Sequence, residues 1–212
     1  AVLAGDFLFA QASWHLANLD NLAVVKLLSR VIMDLADGEV KQGLYRYDTG
    51  QSFATYLEKS YCKTASLMAN SVQAAGVLSG ESVEHQKSLH HFGRQLGLAF
   101  QVVDDILDFT GSEQQLGKPA ASDLASGYLT APALYALEEH LALARLIERE
   151  FSEEDDLDQA LELVRNSQAI SRSRQLAEDF ARESREAIAW LPDSPCQRAL
   201  MELPDFVLSR LY

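Results

Sequence analysis

Residues 100–109 constrain this chain more than any other stretch: Phe100, Gln101, Val102, Val103, Asp104, Asp105, Ile106, Leu107, Asp108 and Phe109 set three carboxylates inside an otherwise apolar run. At helical spacing Asp104 and Asp108 are four apart and share a face, and Gln101, Asp105 and Asp108 fall along the same side. Aspartate is a poor helix-interior residue because its side chain competes for backbone hydrogen bonds. Like charges four apart repel by roughly 0.2–0.5 kcal/mol on an exposed helix, and by more when half buried. Such a cluster persists where something neutralises it. Hard oxygen ligands with room for water suit Mg²⁺, which takes one or two carboxylates and completes its shell with water and phosphate. The plain alternative is a solvated helix face, against which the flanking Val102, Val103, Ile106, Leu107 and Phe109 count. An EF-hand is excluded, because Phe109 stands where that loop needs glycine.

The remaining pattern is helical almost throughout, with no run of alternating β-branched residues. The spacing predicts helices over 5–17, 22–47, 53–78, 82–109, 133–151, 153–165, 168–190 and from 195 onwards. Asn18 to Asn21 forms a turn or cap, and Ser52 and Ser82 stand as N-caps. Ser152 to Asp155 has the pattern of a capping box. The helix after Phe53 is rich in small residues (Ala65, Ser66, Ala69, Ser71, Ala74, Ala75, Gly76), which let helices approach closely or leave space for a deep ligand tunnel. Between Thr110 and Pro132 lies the longest irregular stretch, and loops of that length in compact domains tend to be functional.

At 212 residues, the chain reads as a single domain over 1–212. A net charge of −13 counts against nucleic acid or an anionic membrane as the main partner. Two cysteines, Cys62 and Cys196, make no disulfide framework and fit a reducing compartment. No apolar run reaches transmembrane length. Residues 1–5 are too short for a signal segment and meet Asp6 at once. With no initiator methionine, the chain is expected to be the interior start of a longer protein.

Two lysines join the aspartates as candidates. Lys63 precedes Thr64 on the small-residue helix, and Lys118 lies between Gly117 and Pro119 in the long loop that runs on to Asp123. Alone, Lys63 would be a surface lysine. Lysines and aspartates with no nucleophile–base pair point to a diphosphate bridged by Mg²⁺, and to loss or transfer of that group. Glu39 and Gln42, three apart, either line such a site or form a buried pair. Tyr128 reads as a packing residue, His90 and His91 as surface or core histidines, and the acidic run 153–158 as a helix N-terminus. Cys62 receives no role, since adjacent helix residues do not share a face.

These residues resemble, in order, the motifs of the trans-type (head-to-tail) polyprenyl diphosphate synthases, in their C-terminal part. The matching pieces are Ala4-Gly5-Asp6-Phe7-Leu8, Glu39 with Gln42-Gly43, Lys63-Thr64-Ala65, Phe100-Gln101 with the aspartate motif, and Gly117-Lys118-Pro119 with Asp123. They span most of the chain. The Lys63 segment and the ending Leu203-Pro204-Asp205-Phe206-Val207-Leu208 are similar in texture to the solanesyl-type long-chain enzymes of cyanobacteria and plastids.

The resemblance implies an all-α isoprenoid synthase bundle around a central cavity, working as a homodimer in a bacterial cytoplasm or a plastid stroma. It implies a Mg²⁺-dependent prenyltransferase that joins isopentenyl diphosphate to an allylic diphosphate and makes a long all-trans chain. By it Asp104, Asp105 and Asp108 carry the metal, with Asp123 supporting the shell. Lys63 and Lys118 hold the diphosphate beside Phe100 and Gln101, and Thr64 and Gln101 present oxygen dipoles to the allylic cation. The family's first aspartate-rich motif and most of its isopentenyl-binding basic residues lie upstream of Ala1. These 212 residues alone are therefore expected to lack the N-terminal helices and to be inactive. Tyr128 stands where the family often has a further lysine. A non-catalytic helical subunit paired with an active synthase is the alternative. A terpene cyclase shares the metal chemistry, but Lys63-Thr64 with Gly117-Lys118-Pro119 suits chain elongation better.

Overall fold

The computed structural model describes residues 2–111 and 121–211, and every described regular element is helical. In chain order these are α1 (Val2–Ala17), α2 (Leu22–Leu44), α3 (Phe53–Ser60), a π-helical turn (Tyr61–Ala65), α4 (Ser66–Leu78) and α5 (Val83–Thr110). They continue as α6 (Ser122–Ala125), α7 (Ala131–Glu139), α8 (Leu141–Glu148), α9 (Asp156–Arg165), α10 (Ala169–Ala187) and α11 (Pro195–Ser209). Among the described residues no helix is long and apolar enough to cross a membrane.

The centre is α5. Phe92, Leu98, Ala99, Val102, Val103, Ile106 and Phe109 on it are buried, so it is apolar on more than one face and must be covered all round. It packs against α4 on one side and α10 on the other, with α2 lying over α4 and the π-helical turn. The seam between α5 and the π-helical turn depends on glycine. A Cβ at Gly97 would fall 2.5 Å from the Cα of Ala65, and one at Gly93 would fall 2.6 Å from the carbonyl oxygen of Met68. Of the small residues noted in the sequence, Ala65 and Ala69 therefore serve close backbone approach to α5.

Helix starts follow local chemistry. Asn21 Oδ1 accepts from the amides of Ala23 and Val24 at 3.1 and 3.2 Å, and Ser52 Oγ and Ser82 Oγ each cap at 3.1 Å. Four expectations need correction. The capping box at Ser152 does not form: Asp155 is left-handed (φ 71°), and the start of α9 is organised instead by buried Asp156, which accepts from Arg149 and from the Glu153 amide at 3.1 Å. The helix expected over 53–78 passes through a π-helical turn, in which the Ser66 amide reaches the Tyr61 carbonyl. The helix expected over 133–151 breaks at His140, whose backbone is extended.

The fourth is α2, which ends at Leu44 rather than Tyr47. Tyr47 adopts φ 55°, its amide donates to Gly127 O at 2.8 Å, and Arg46 Nε donates to Ser126 O at 2.9 Å. Gly127 sits at φ +79°, and a Cβ there would meet the Tyr47 ring at 2.7 Å. A tertiary contact thus overrides the helical pattern.

α1 buries nothing. Phe7, Leu8, Phe9 and Trp14 are all exposed, as are Ile32, Met33 and Val40 on α2.

Candidate active site

A cavity of about 170 Å³ opens beside α5, lined by Gln42 of α2, Tyr56, Lys59 and Ser60 of α3, Lys63 of the π-helical turn, Gln101 and Asp105 of α5, Asp123 of α6, and Tyr128 and Thr130 beyond α6. π-helical turns concentrate at functional sites, because the extra residue re-aims side chains against the neighbouring helix.

Across the wall runs one chain of hydrogen bonds. Thr64 Oγ1 donates to Gln101 Oε1 at 2.7 Å, Gln101 Nε2 donates to Asp105 Oδ1 at 2.8 Å, and Tyr56 OH donates to Asp105 Oδ2 at 2.6 Å. Both oxygens of Asp105 are therefore engaged. Burial pushes its carboxyl up to about 7, and Asp123 adds to the rise. The Tyr56 and Gln101 hydrogen bonds and the charge of Lys59 work the other way. Tyr56 is itself buried and held well above the ordinary phenol range, first by burial and then by Asp105.

The structure sends the three aspartates to different neighbours. Asp104 forms an ion pair with Arg210 (Nη2 to Oδ1, 2.7 Å), whose guanidinium also lies 4.8 Å from the centre of the Phe100 ring. Asp108 is buried and holds the start of α6: Ser122 Oγ donates to its Oδ1 and the Asp123 amide to its Oδ2, each at 3.1 Å. Among the described residues no three His, Cys, Asp or Glu side chains converge as a metal cage. Lys63 reaches α2, in an ion pair with Glu39 at 2.9 Å and a hydrogen bond to Gln42. Glu39 and Gln42 thus meet through Lys63 rather than as a pair. Lys118 lies outside the described residues. Tyr128 lines the cavity, with the Arg46 guanidinium 5.7 Å from its ring centre.

Tyr56, Lys59, Thr130 and Arg210 went unnoticed in the sequence. Lys59 carried the one available signal, its place one helical turn before Lys63. The other three come from distant segments that only the fold brings to α5.

This arrangement offers cations on one wall, a carboxyl poised near neutrality on another, and amide and hydroxyl oxygens between them, a setting for an anionic group beside an electron-poor carbon. The Polyprenyl synthetase family profile matches residues 1–164. The chain is 58% identical over 212 residues to a prenyl transferase of Synechocystis sp., covering 100% of this chain and 66% of that protein. It is 49% identical over 211 residues to the chloroplastic solanesyl diphosphate synthase 2 of Arabidopsis thaliana, of which it spans 51%. In structure it superposes on the heptaprenyl diphosphate synthase of Staphylococcus aureus with a TM-score of 0.94 at 30% identity, covering 100% of this chain and 67% of that one. The chain spans two thirds or less of the curated relatives' length. With its helical architecture and this cavity, the chain belongs to the polyprenyl synthetase family.

Proposed function

We propose that this protein is a prenyltransferase that condenses isopentenyl diphosphate with an allylic diphosphate, ionised with the help of Mg²⁺, to make a long-chain all-trans polyprenyl diphosphate. The observation that carries the reading is the cavity in which Lys59, Lys63, Gln101, Asp105 and Asp123 meet. The allylic C–O bond breaks, and its electron pair leaves with the diphosphate. The double bond of isopentenyl diphosphate then attacks the allylic cation, and a proton from the new adduct passes to the departed diphosphate. Gln101 is held by Thr64 and Asp105 in one orientation, so its oxygen dipole is fixed before the cation forms.

Asp105 and Asp108 already use both carboxylate oxygens within the protein. Each of those oxygens keeps a second lone pair, and Mg²⁺ would sit on one or two carboxylates of the set Asp104, Asp105 and Asp108, with Asp123 supporting the shell and the rest from water and diphosphate oxygens. When bound, the metal neutralises the charge that builds on the leaving diphosphate. Asp105 and Asp108 also orient the cavity wall through their hydrogen bonds, and Lys118 adds a cation to the diphosphate. The exposed apolar side of α1 supports a homodimer. The Arg210–Asp104 ion pair favours a second reading, a non-catalytic subunit paired with an active synthase.

The test is isopentenyl incorporation by the intact protein and its Asp104→Ala variant. A drop of at least about 100-fold is expected for loss of a metal-bearing carboxylate. Unchanged turnover in the variant would take the metal-bearing role from Asp104, a parent without turnover would sink the transferase reading, and an inactive parent that activates a partner synthase would support the subunit reading.

A further inference from the structure

Lys59 is only 7% exposed, yet no described residue gives its ammonium a hydrogen bond or an ion pair. The Tyr56 ring centre lies 6.0 Å from Nζ, at the outer edge of a cation–π contact. Burial pulls the ammonium below its ordinary range, with Lys63 adding to the fall, while Asp105 and Asp123 resist it. Lys63 is the opposite case, its ammonium already spent on Glu39 and Gln42. Of the two described lysines lining the cavity, Lys59 is thus the one without a hydrogen bond or ion pair to a described residue. A second buried donor, on another wall of the cavity, is also unmatched: Thr130 lines the cavity and its Oγ1 has no hydrogen-bond partner among the described residues. Leaving a buried hydroxyl unsatisfied is costly, and one ligand with several oxygens on one anionic group would meet both that hydroxyl and the unpaired ammonium at the cavity.

We propose that Lys59 is a further direct diphosphate-binding residue of this cavity, acting with the Thr130 hydroxyl and beside Lys63. The proposal rests on the transferase reading and names which side chains take the anion.

The probe is inorganic pyrophosphate, titrated calorimetrically into the intact protein with Mg²⁺, and followed in parallel by thermal melting with and without pyrophosphate. Lys59→Met is expected to weaken pyrophosphate binding by about 10- to 100-fold, the usual effect of losing a charge-assisted hydrogen bond. Thr130→Val is expected to weaken it by about 2- to 10-fold. In turnover, Lys59→Met raises KM for the allylic diphosphate more than it lowers kcat. Without pyrophosphate, Lys59→Met melts at or above the parent temperature, since it removes a buried charge, and it loses the pyrophosphate-induced upward shift. Lys26→Met, on the exposed side of α2, serves as control and matches the parent.

Parental pyrophosphate affinity in Lys59→Met overturns the proposal while leaving the transferase reading standing. A marked fall in its melting temperature without pyrophosphate also overturns it, by making Lys59 a structural ion partner of Asp105. A parent protein that neither binds pyrophosphate nor transfers a prenyl group overturns both readings.

Discussion

At the scale of single residues, the division of labour within the aspartate motif is what the fold decides. The i, i+4 spacing made Gln101 and Asp105 neighbours, and they are hydrogen-bonded. The spacing had nothing to say about Tyr56, 49 positions away, which claims the other oxygen of Asp105. Nor did it show that Asp108 would be used by the start of α6. Motif membership was legible, therefore, and individual roles were not, because each role is set by a partner that only tertiary packing supplies. The raised carboxyl of Asp105 has a consequence for stability. Its folded-state value of about 7 lies above the ordinary aspartate value of about 3.9, so its contribution is fully present below about pH 4 and is lost as pH rises toward 7. In protein stripped of metal by a chelator, Asp105→Asn should remove that component. Urea unfolding of parent and variant at pH 5 and pH 8 should show the parent losing on the order of 2–4 kcal/mol more than the variant. Identical pH dependence in the two proteins would contradict the assignment.

At the scale of elements, helices were legible wherever the signal was local. Asn21, Ser52 and Ser82 cap as their side chains dictate, with oxygen acceptors next to free amides. The failures share a cause. Tyr47 leaves the helix for Gly127, and Asp156, paired with Arg149, displaces Ser152 at the start of α9. In each case a hydrogen bond from outside the expected local pattern outweighed it, reaching far along the chain for Tyr47 and to Arg149, seven residues away, for Asp156. The π-helical turn left no trace in the apolar periodicity, because Tyr61 to Ala65 continues the same pattern whether four or five residues close the turn. Its seam with α5 can be tested directly. Gly97→Ala places a methyl against the Ala65 backbone, and backbone cannot rotate aside as a side chain would. A loss of roughly 1–3 kcal/mol is expected in the urea midpoint, with weaker pyrophosphate binding as Lys63 and Thr64 shift. A fully stable variant with parental binding would show that the seam is looser than drawn.

At the scale of the whole molecule, the helical architecture and the family were legible because ordered motifs cover most of the chain. The cavity's lining was legible only in part. Its walls come from α2, α3 with the π-helical turn, α5, and α6 with the segment past it. That last wall is fastened at Asp108 on one side and, through Gly127 and Ser126, to Tyr47 and Arg46 on the other. The fastening has a kinetic consequence. Helices form from neighbours along the chain, whereas the Arg46–Ser126 link joins residues 80 apart and must close a long loop before it contributes. The cavity should therefore be among the last features to appear during refolding. Stopped-flow refolding from urea is expected to restore the helical circular-dichroism signal first and pyrophosphate binding in a later phase. Arg46→Ala should lengthen that lag without slowing helix formation, and simultaneous recovery of the two signals would contradict it. A newly made chain would then pass through an interval in which it is helical, compact and still unable to hold its anion.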